Sequence, residues 1–217
     1  MNVFTENVKP RKRGRPPGQT AQGAAARDRL YTTAMQLIAT RGYEATTLRD
    51  IAAAAGVSVA ALYYHFPSKL DLLREFLHEA HDIVLARVAR AVEQAGPDAR
   101  ERLDAAVQAL VWSNIHDDFA KLAATVAWRE NGRLEAAEQD AIAAKRVQMM
   151  DVLEGVIVAG VAQGAFSTTD PRPVASAVLT LCISVVDPLP EMGASLDDVI
   201  DLHQRLAAAL CNTEPRG

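Results

Sequence analysis

Residues 47–69 run Thr47-Leu48-Arg49-Asp50-Ile51-Ala52-Ala53-Ala54-Ala55-Gly56-Val57-Ser58-Val59-Ala60-Ala61-Leu62-Tyr63-Tyr64-His65-Phe66-Pro67-Ser68-Lys69. They read as two short helices joined by a tight turn. Thr47 and Asp50 have the spacing of a capping box, with Asp in place of the usual Glu or Gln. The Thr hydroxyl can accept an orphan backbone N–H while the carboxylate sits near the positive end of the helix. Ile51, Ala52 and Ala55 then fall on one side at helical spacing. Gly56 ends the helix, because the residue just past a helix end often takes positive φ, which costs Gly least. Ser58 can cap the second helix, whose Val59 and Leu62 face back onto the first. A small Ala52 where the helices cross and Gly56 in the turn complete a helix-turn-helix pattern, in which the second helix enters the DNA major groove. An ordinary helical hairpin shares the Ala-rich helices and the Gly turn, so the flank has to separate the two readings. Tyr63-Tyr64-His65-Phe66 puts an aromatic cluster where a plain hairpin turns polar, and Pro67-Ser68-Lys69 with Leu70, Leu72 and Leu73 opens another helix.

Over segment 27–77 the sequence resembles the TetR family of bacterial transcriptional regulators. The residues that carry the likeness are Arg41-Gly42-Tyr43, Thr46-Thr47-Leu48-Arg49-Asp50-Ile51-Ala52, Ala55-Gly56-Val57-Ser58, Leu62-Tyr63-Tyr64-His65-Phe66 and Lys69. The resemblance implies an all-α chain: a three-helix DNA-binding head joined to a helical domain that binds an effector and dimerises. By the motif match, Thr47, Tyr64, His65 and Lys69 contact or neutralise phosphates, and Ser58, Val59, Ala60 and Tyr63 face base edges. Many relatives carry Lys and Gly-Thr where this chain has Val59 and Ala60-Ala61. That departure removes long hydrogen-bonding side chains and shifts direct readout toward thymine-methyl contact and Tyr63.

The chain's 217 residues suffice for a substantial core, and a composition that is 49% hydrophobic, rich in Ala and poor in aromatics favours helices. Three divisions follow: a disordered basic arm over 1–23, the helix-turn-helix domain over 24–68, and the effector-binding and dimerisation domain over 69–213. The formal net charge of −4 would argue against nucleic acid if charge were evenly spread. It is not: Lys9, Arg11, Lys12, Arg13 and Arg15 crowd the N-terminus against Glu6 alone, and local charge decides phosphate binding. Lys12-Arg13-Gly14-Arg15-Pro16 resembles the core of an AT-hook, which lays Arg13 and Arg15 into a narrow A·T-rich minor groove. A basic tail giving only phosphate attraction explains the same residues.

A first helix is expected over 24–40, with Leu30, Ala34, Leu37 and Ile38 as its core stripe, and a linking helix over 69–94. Gly96-Pro97 is the clearest break. Further helices are expected over 98–113, 116–130, 134–163, 171–187 and 196–211, punctuated by Asn131-Gly132, Gly164, Asp170-Pro171, and Pro188 with Pro190. The last two carry apolar residues on more than one face. The leftover face suggests a subunit interface, with Val178, Leu181, Val185, Leu202 and Leu206 as its candidates. The resemblance implies that this pair forms a four-helix bundle across a two-fold axis.

Chemistry of other kinds finds little support. His78 and His81 with Asp82, and His116-Asp117-Asp118, lack a metal-binding frame; Cys182 and Cys211 read as buried thiols. No nucleophile elbow, P-loop or dinucleotide fingerprint occurs, so neither an enzyme nor a cofactor is expected. No apolar run spans a bilayer and the basic N-terminus lacks an apolar core, so a cytoplasmic protein is expected. Trp112, His116, Phe119, Trp128 and Met149 mix bulky apolar and polar groups, which fits an effector pocket and equally a domain core. Trp128-Arg129-Glu130-Asn131 and Gln163-Gly164-Ala165-Phe166 resemble family branches that govern fatty-acid or steroid breakdown and sense acyl-CoA. The expected partners are therefore double-stranded operator DNA, a small-molecule effector that is apolar or acyl-CoA-like, and a second copy of the chain. The competing reading is an architectural or ligand-independent DNA binder whose C-terminal domain only dimerises.

Overall fold

Side-chain capping sets where several of the helices begin. In a computed structural model that describes residues 21–115, 130–185 and 193–212, with Asp117, Ala120, Leu122, Ala123 and Val126, eight α-helices occur among the described residues, and no strand. They are α1 Ala21–Arg41, α2 Leu48–Ala55, α3 Val59–His65, α4 Lys69–Gln94, α5 Ala99–Ile115, α6 Ala136–Ala162, α7 Pro171–Ile183 and α8 Leu196–Leu210, with a short 3-10 turn at Asn131–Arg133. The all-α expectation holds. Arg13 and Arg15 of the basic arm, and His116, Phe119 and Trp128, lie outside the described residues.

The capping box at α2 is complete. The Asp50 N–H donates to the Thr47 hydroxyl oxygen at 3.1 Å, and the Thr47 N–H donates to the Asp50 carboxylate at 2.9 Å. Hydrogen bonds from the Thr47 hydroxyl and N–H hold the Asp50 carboxyl below its ordinary 3.8. Ser195 and Asp198 repeat the arrangement at α8, while Ser58 and Ser68 cap α3 and α4 through their hydroxyls. Gly56 closes α2 with φ 68°, which lets the Val57 N–H reach back to the Ala52 carbonyl at 3.0 Å. The helix expected to reach 187 stops at Ile183; Pro188 ahead lacks an N–H and disfavours helical geometry before it. α5 starts on a local and a distant cap: the Asp98 carboxylate accepts the Arg100 and Glu101 N–H groups at 2.8 and 3.0 Å, and the Gln163 amide oxygen accepts the Ala99 N–H at 2.9 Å.

Two apolar cores result. In the first, Leu30, Tyr31, Ala34, Met35 and Ile38 of α1 pack against Ile51, Ala52, Leu62 and Phe66, and against Leu72, Leu73, Phe76, Leu77 and Ala80 of α4. Tyr31 meets Phe66 edge to face at 4.8 Å, and its hydroxyl donates to Glu75 at 2.8 Å. Ala123, Val126, Leu134 and Ile142 join this head core, so its packing continues beyond residue 68. The second core takes Val88 and Val92 of α4, the inner face of α5, α6 from Met149 onward, Phe166, and the inner faces of α7 and α8. Gly160 has a packing reason: a Cβ there would stand 2.0 Å from the Phe166 ring. Cys182 and Cys211 are both buried free thiols, and burial pushes them up to about 12 and about 11. No helix among the described residues is long and apolar enough to cross a membrane.

Candidate nucleic-acid interface

Helix α3 is short and held from one side. Leu62 and the following Phe66 are fully buried, and Val59 is half-buried against the head core. Helical spacing then turns the intervening residues outward. Ala60 is exposed, Tyr63 is 52% exposed and Tyr64 is 62% exposed, while His65 is half-buried with its ring 5.4 Å from that of Tyr64. Thr47 and Ser58 lie at the exposed starts of α2 and α3, each with its hydroxyl engaged in the local cap.

Lys69 has work inside the head as well. Its ammonium donates to the Tyr43 carbonyl at 2.5 Å and the Thr46 carbonyl at 2.8 Å, and lies 3.9 Å from the centre of the Tyr43 ring. Burial lowers its pKa from 10.5. Two of its three N–H groups therefore tie the start of α4 to the α1–α2 turn, a long-range bond that local sequence reading misses. Arg41 and Arg49 are exposed on the same head and were not among the sequence candidates. The signal available for Arg49 was its position two residues after the cap.

In the body, Trp112 is half-buried and Met149 sits in the apolar core. The Arg87 guanidinium lies 4.7 Å from the centre of the Trp112 ring and donates to Ser113 and to Asp117, each at 2.5 Å. His78 and His81 serve structural bonds: Nε2 of His78 pairs with Glu138 at 2.9 Å, and Nδ1 of His81 pairs with the Leu77 carbonyl at 2.8 Å. Among the described residues no three His, Cys, Asp or Glu side chains gather as a metal ion would need.

The interface candidates divide. Leu202 and Leu206 are exposed on α8, at 38% and 42%, and Leu181 is half-buried. Val178 and Val185 depart from the expectation: Val178 on α7 and Val185, two residues past its end, are both buried in the protomer's own core. Ile183, 37% exposed, is the apolar α7 residue that the sequence reading passed over.

An all-α chain with a helix-turn-helix head and a larger helical body has the architecture of a one-component transcriptional regulator. The chain belongs to the TetR family of bacterial regulators. The profile of bacterial regulatory proteins of the tetR family matches residues 30–76, and that of the tetracyclin repressor-like C-terminal domain matches residues 96–208. The HTH-type transcriptional repressor KstR2 of Rhodococcus jostii (strain RHA1) is 33% identical over 153 residues, which span 70% of this chain and 73% of that one. The HTH-type transcriptional activator FasR of Mycolicibacterium smegmatis (strain ATCC 700084 / mc(2)155) is 34% identical over 122 residues, 54% of this chain and 55% of that one. A tetR-family regulatory protein from Rhodococcus RHA1, solved by crystallography, superposes with a TM-score of 0.72 at 26% identity, covering 88% of this chain and 98% of that one.

Proposed function

We propose that this regulator is a homodimeric repressor that binds operator DNA through paired α3 helices and is released by a small-molecule effector, apolar or acyl-CoA-like in class. The observation that carries the reading is the outer face of α3, where Ala60, Tyr63 and Tyr64 stand exposed on a helix that buries only Leu62. Tyr63, Ala60 and Val59 suit base edges and thymine methyls, while Thr47, Tyr64, His65 and Lys69 flank them toward the phosphates. Arg13 and Arg15 add attraction from the basic arm. Repression is favoured by the likeness to a protein named as a repressor over more than two thirds of both chains. Leu202, Leu206 and Ile183, left exposed after the body core is complete, suit the contact with a second copy. The effector then acts by preferring a conformation in which a tilt of α4 mis-spaces the two heads, with coupling of about 5–150-fold.

Selection of duplexes from a randomised pool tests this. It is expected to enrich a two-fold-symmetric site whose half-site centres lie about 34–36 Å apart, or a multiple of that turn. Leu206→Glu places a charge on the apolar face and is expected to give folded monomers by sedimentation that no longer select paired sites. A pool with no enrichment removes operator recognition. Unchanged dimers in Leu206→Glu place the interface elsewhere.

A further inference from the structure

Between head and body lies a cluster drawn from three parts of the chain. Arg133, at the end of the 3-10 turn, donates from Nη1 to Glu44 in the α1–α2 turn and from Nε to Glu130. Its guanidinium lies 5.0 Å from the centre of the Tyr43 ring, the same ring that Lys69 approaches at 3.9 Å. Two cations and two carboxylates thus balance around one aromatic ring. Glu130 is 6% exposed, whereas the Glu44 side chain is 75% exposed. An ion pair as open as Arg133–Glu44 adds little stability, so its consequence lies in where it holds the chain. Residues 130–133 follow the stretch that carries Phe119 and Trp128, and they run straight into Leu134, a member of the head core.

We propose that Arg133 is a positioning residue for the DNA-binding head, a latch that holds the 43–47 turn, and with it the Tyr43–Lys69 unit and the Thr47 cap, in the arrangement that meets DNA. The latch deepens the operator-release reading, and only its affinity arm rests on that reading. It supplies a path from body to head apart from α4 and α6, the helices that pack in both cores. A shift of segment 130–134 reaches the turn through Glu44 directly, without a change in the tilt of the linking helix. The arrangement couples two sites because both act on one element, the turn, whose position each can bias.

The test compares wild type, R133Q, E44Q and the double variant on the duplex that wild type enriches. Simple electrostatics near phosphates predicts that E44Q, which removes a negative charge, binds more tightly and that R133Q binds more weakly. A latch predicts that both bind about fivefold more weakly, at the low end of coupling between sites, and that the double variant is no weaker than R133Q. Hydrogen exchange of amides 43–47 is expected to quicken in both single variants, with α8 exchange unchanged in both and the melting temperature unchanged in E44Q. The open position of Glu44 keeps E44Q folded even where R133Q disturbs the buried Glu130. Tighter binding by E44Q, additive losses in the double variant, or wild-type exchange across 43–47 in E44Q overturns the latch. Should wild type enrich no duplex, the operator reading falls, and the exchange measurement decides the latch alone.

Discussion

The two cores of this chain are built differently. The head core sets three aromatic rings, Tyr31, Phe66 and Phe76, among aliphatic side chains and closes over helices of as few as 7 residues. The body core is aliphatic and Ala-rich, with Phe166 as its aromatic member, and rests on helices of up to 27 residues. Short helices cannot persist alone, so the head needs large rings to bury enough surface per turn; long helices tolerate smaller side chains. The boundary between the cores falls inside helices. α4 gives Leu72 through Ala80 to the head and Val88 and Val92 to the body, while α6 gives Ile142 to the head and Met149 onward to the body. Two helices therefore cross the boundary, and the seam between them is pinned by Lys145, which pairs with Asp82 at 2.6 Å and donates to the His78 carbonyl at 3.0 Å.

Leu134 offers the sharpest way to break this comparison. It follows α4 by forty residues of sequence, yet it is 4% exposed in the head core. Leu134→Ala is expected to cost about 2–5 kcal/mol, read as lost exchange protection in α1, α2 and α3 with α7 and α8 spared. Loss confined to α7 and α8 would return Leu134 to the body. Gly160→Ala is the reciprocal probe, since the new methyl meets the Phe166 ring. Overpacking of this kind costs about 1–3 kcal/mol and is expected to lower protection in α6 to α8 while the head amides stay as in wild type.

The smallest effect belongs to His81, near the boundary itself. Burial holds its pKa below 6.5, helped by the nearby charges of Lys145, Arg146 and His78 and opposed by its bond to the Leu77 carbonyl. Asp82 and Glu138 are the acidic side chains paired across the same α4–α6 seam. Because the unfolded chain takes the proton first, stability is full above about 6.5 and falls as pH drops below it. His81→Gln is expected to flatten the melting temperature against pH over that acidic range. An unchanged slope would assign the pH dependence to other groups.

Local chemistry made much of the fold readable in advance. Thr47, Ser58 and Ser195 fix helix starts through bonds spanning a few residues, and Pro171 opens α7 by its own fixed φ without a side-chain cap from Asp170, so sequence alone locates all four. α4 begins and ends where its spacing placed it. What stayed hidden depends on contacts far along the chain. Val178 sits on a helix with apolar residues on more than one face, and periodicity cannot say which face turns inward; Val185 lies past the end of that helix, where helical spacing no longer applies. The clamp of Lys69 spans 26 residues to Tyr43, and Arg133 reaches 89 residues to Glu44. Tyr31 and Met35 of α1 join the core beside the predicted stripe, because a helix wedged among three neighbours buries a broader arc than a surface helix does.

The recognition helix, finally, is attached to the molecule through very little of itself. Leu62 and the capping Phe66 anchor it, and most of the remaining outer surface faces solvent. Exchanges at Ala60, Tyr63 or Tyr64 fall in the class of surface changes that shift stability by about 0.5 kcal/mol or less. On the proposed reading of α3, descendants of this gene can therefore wander through new target sequences while the scaffold is left untouched. The residues free to change and the residues that hold the fold are thus kept apart on a single helix.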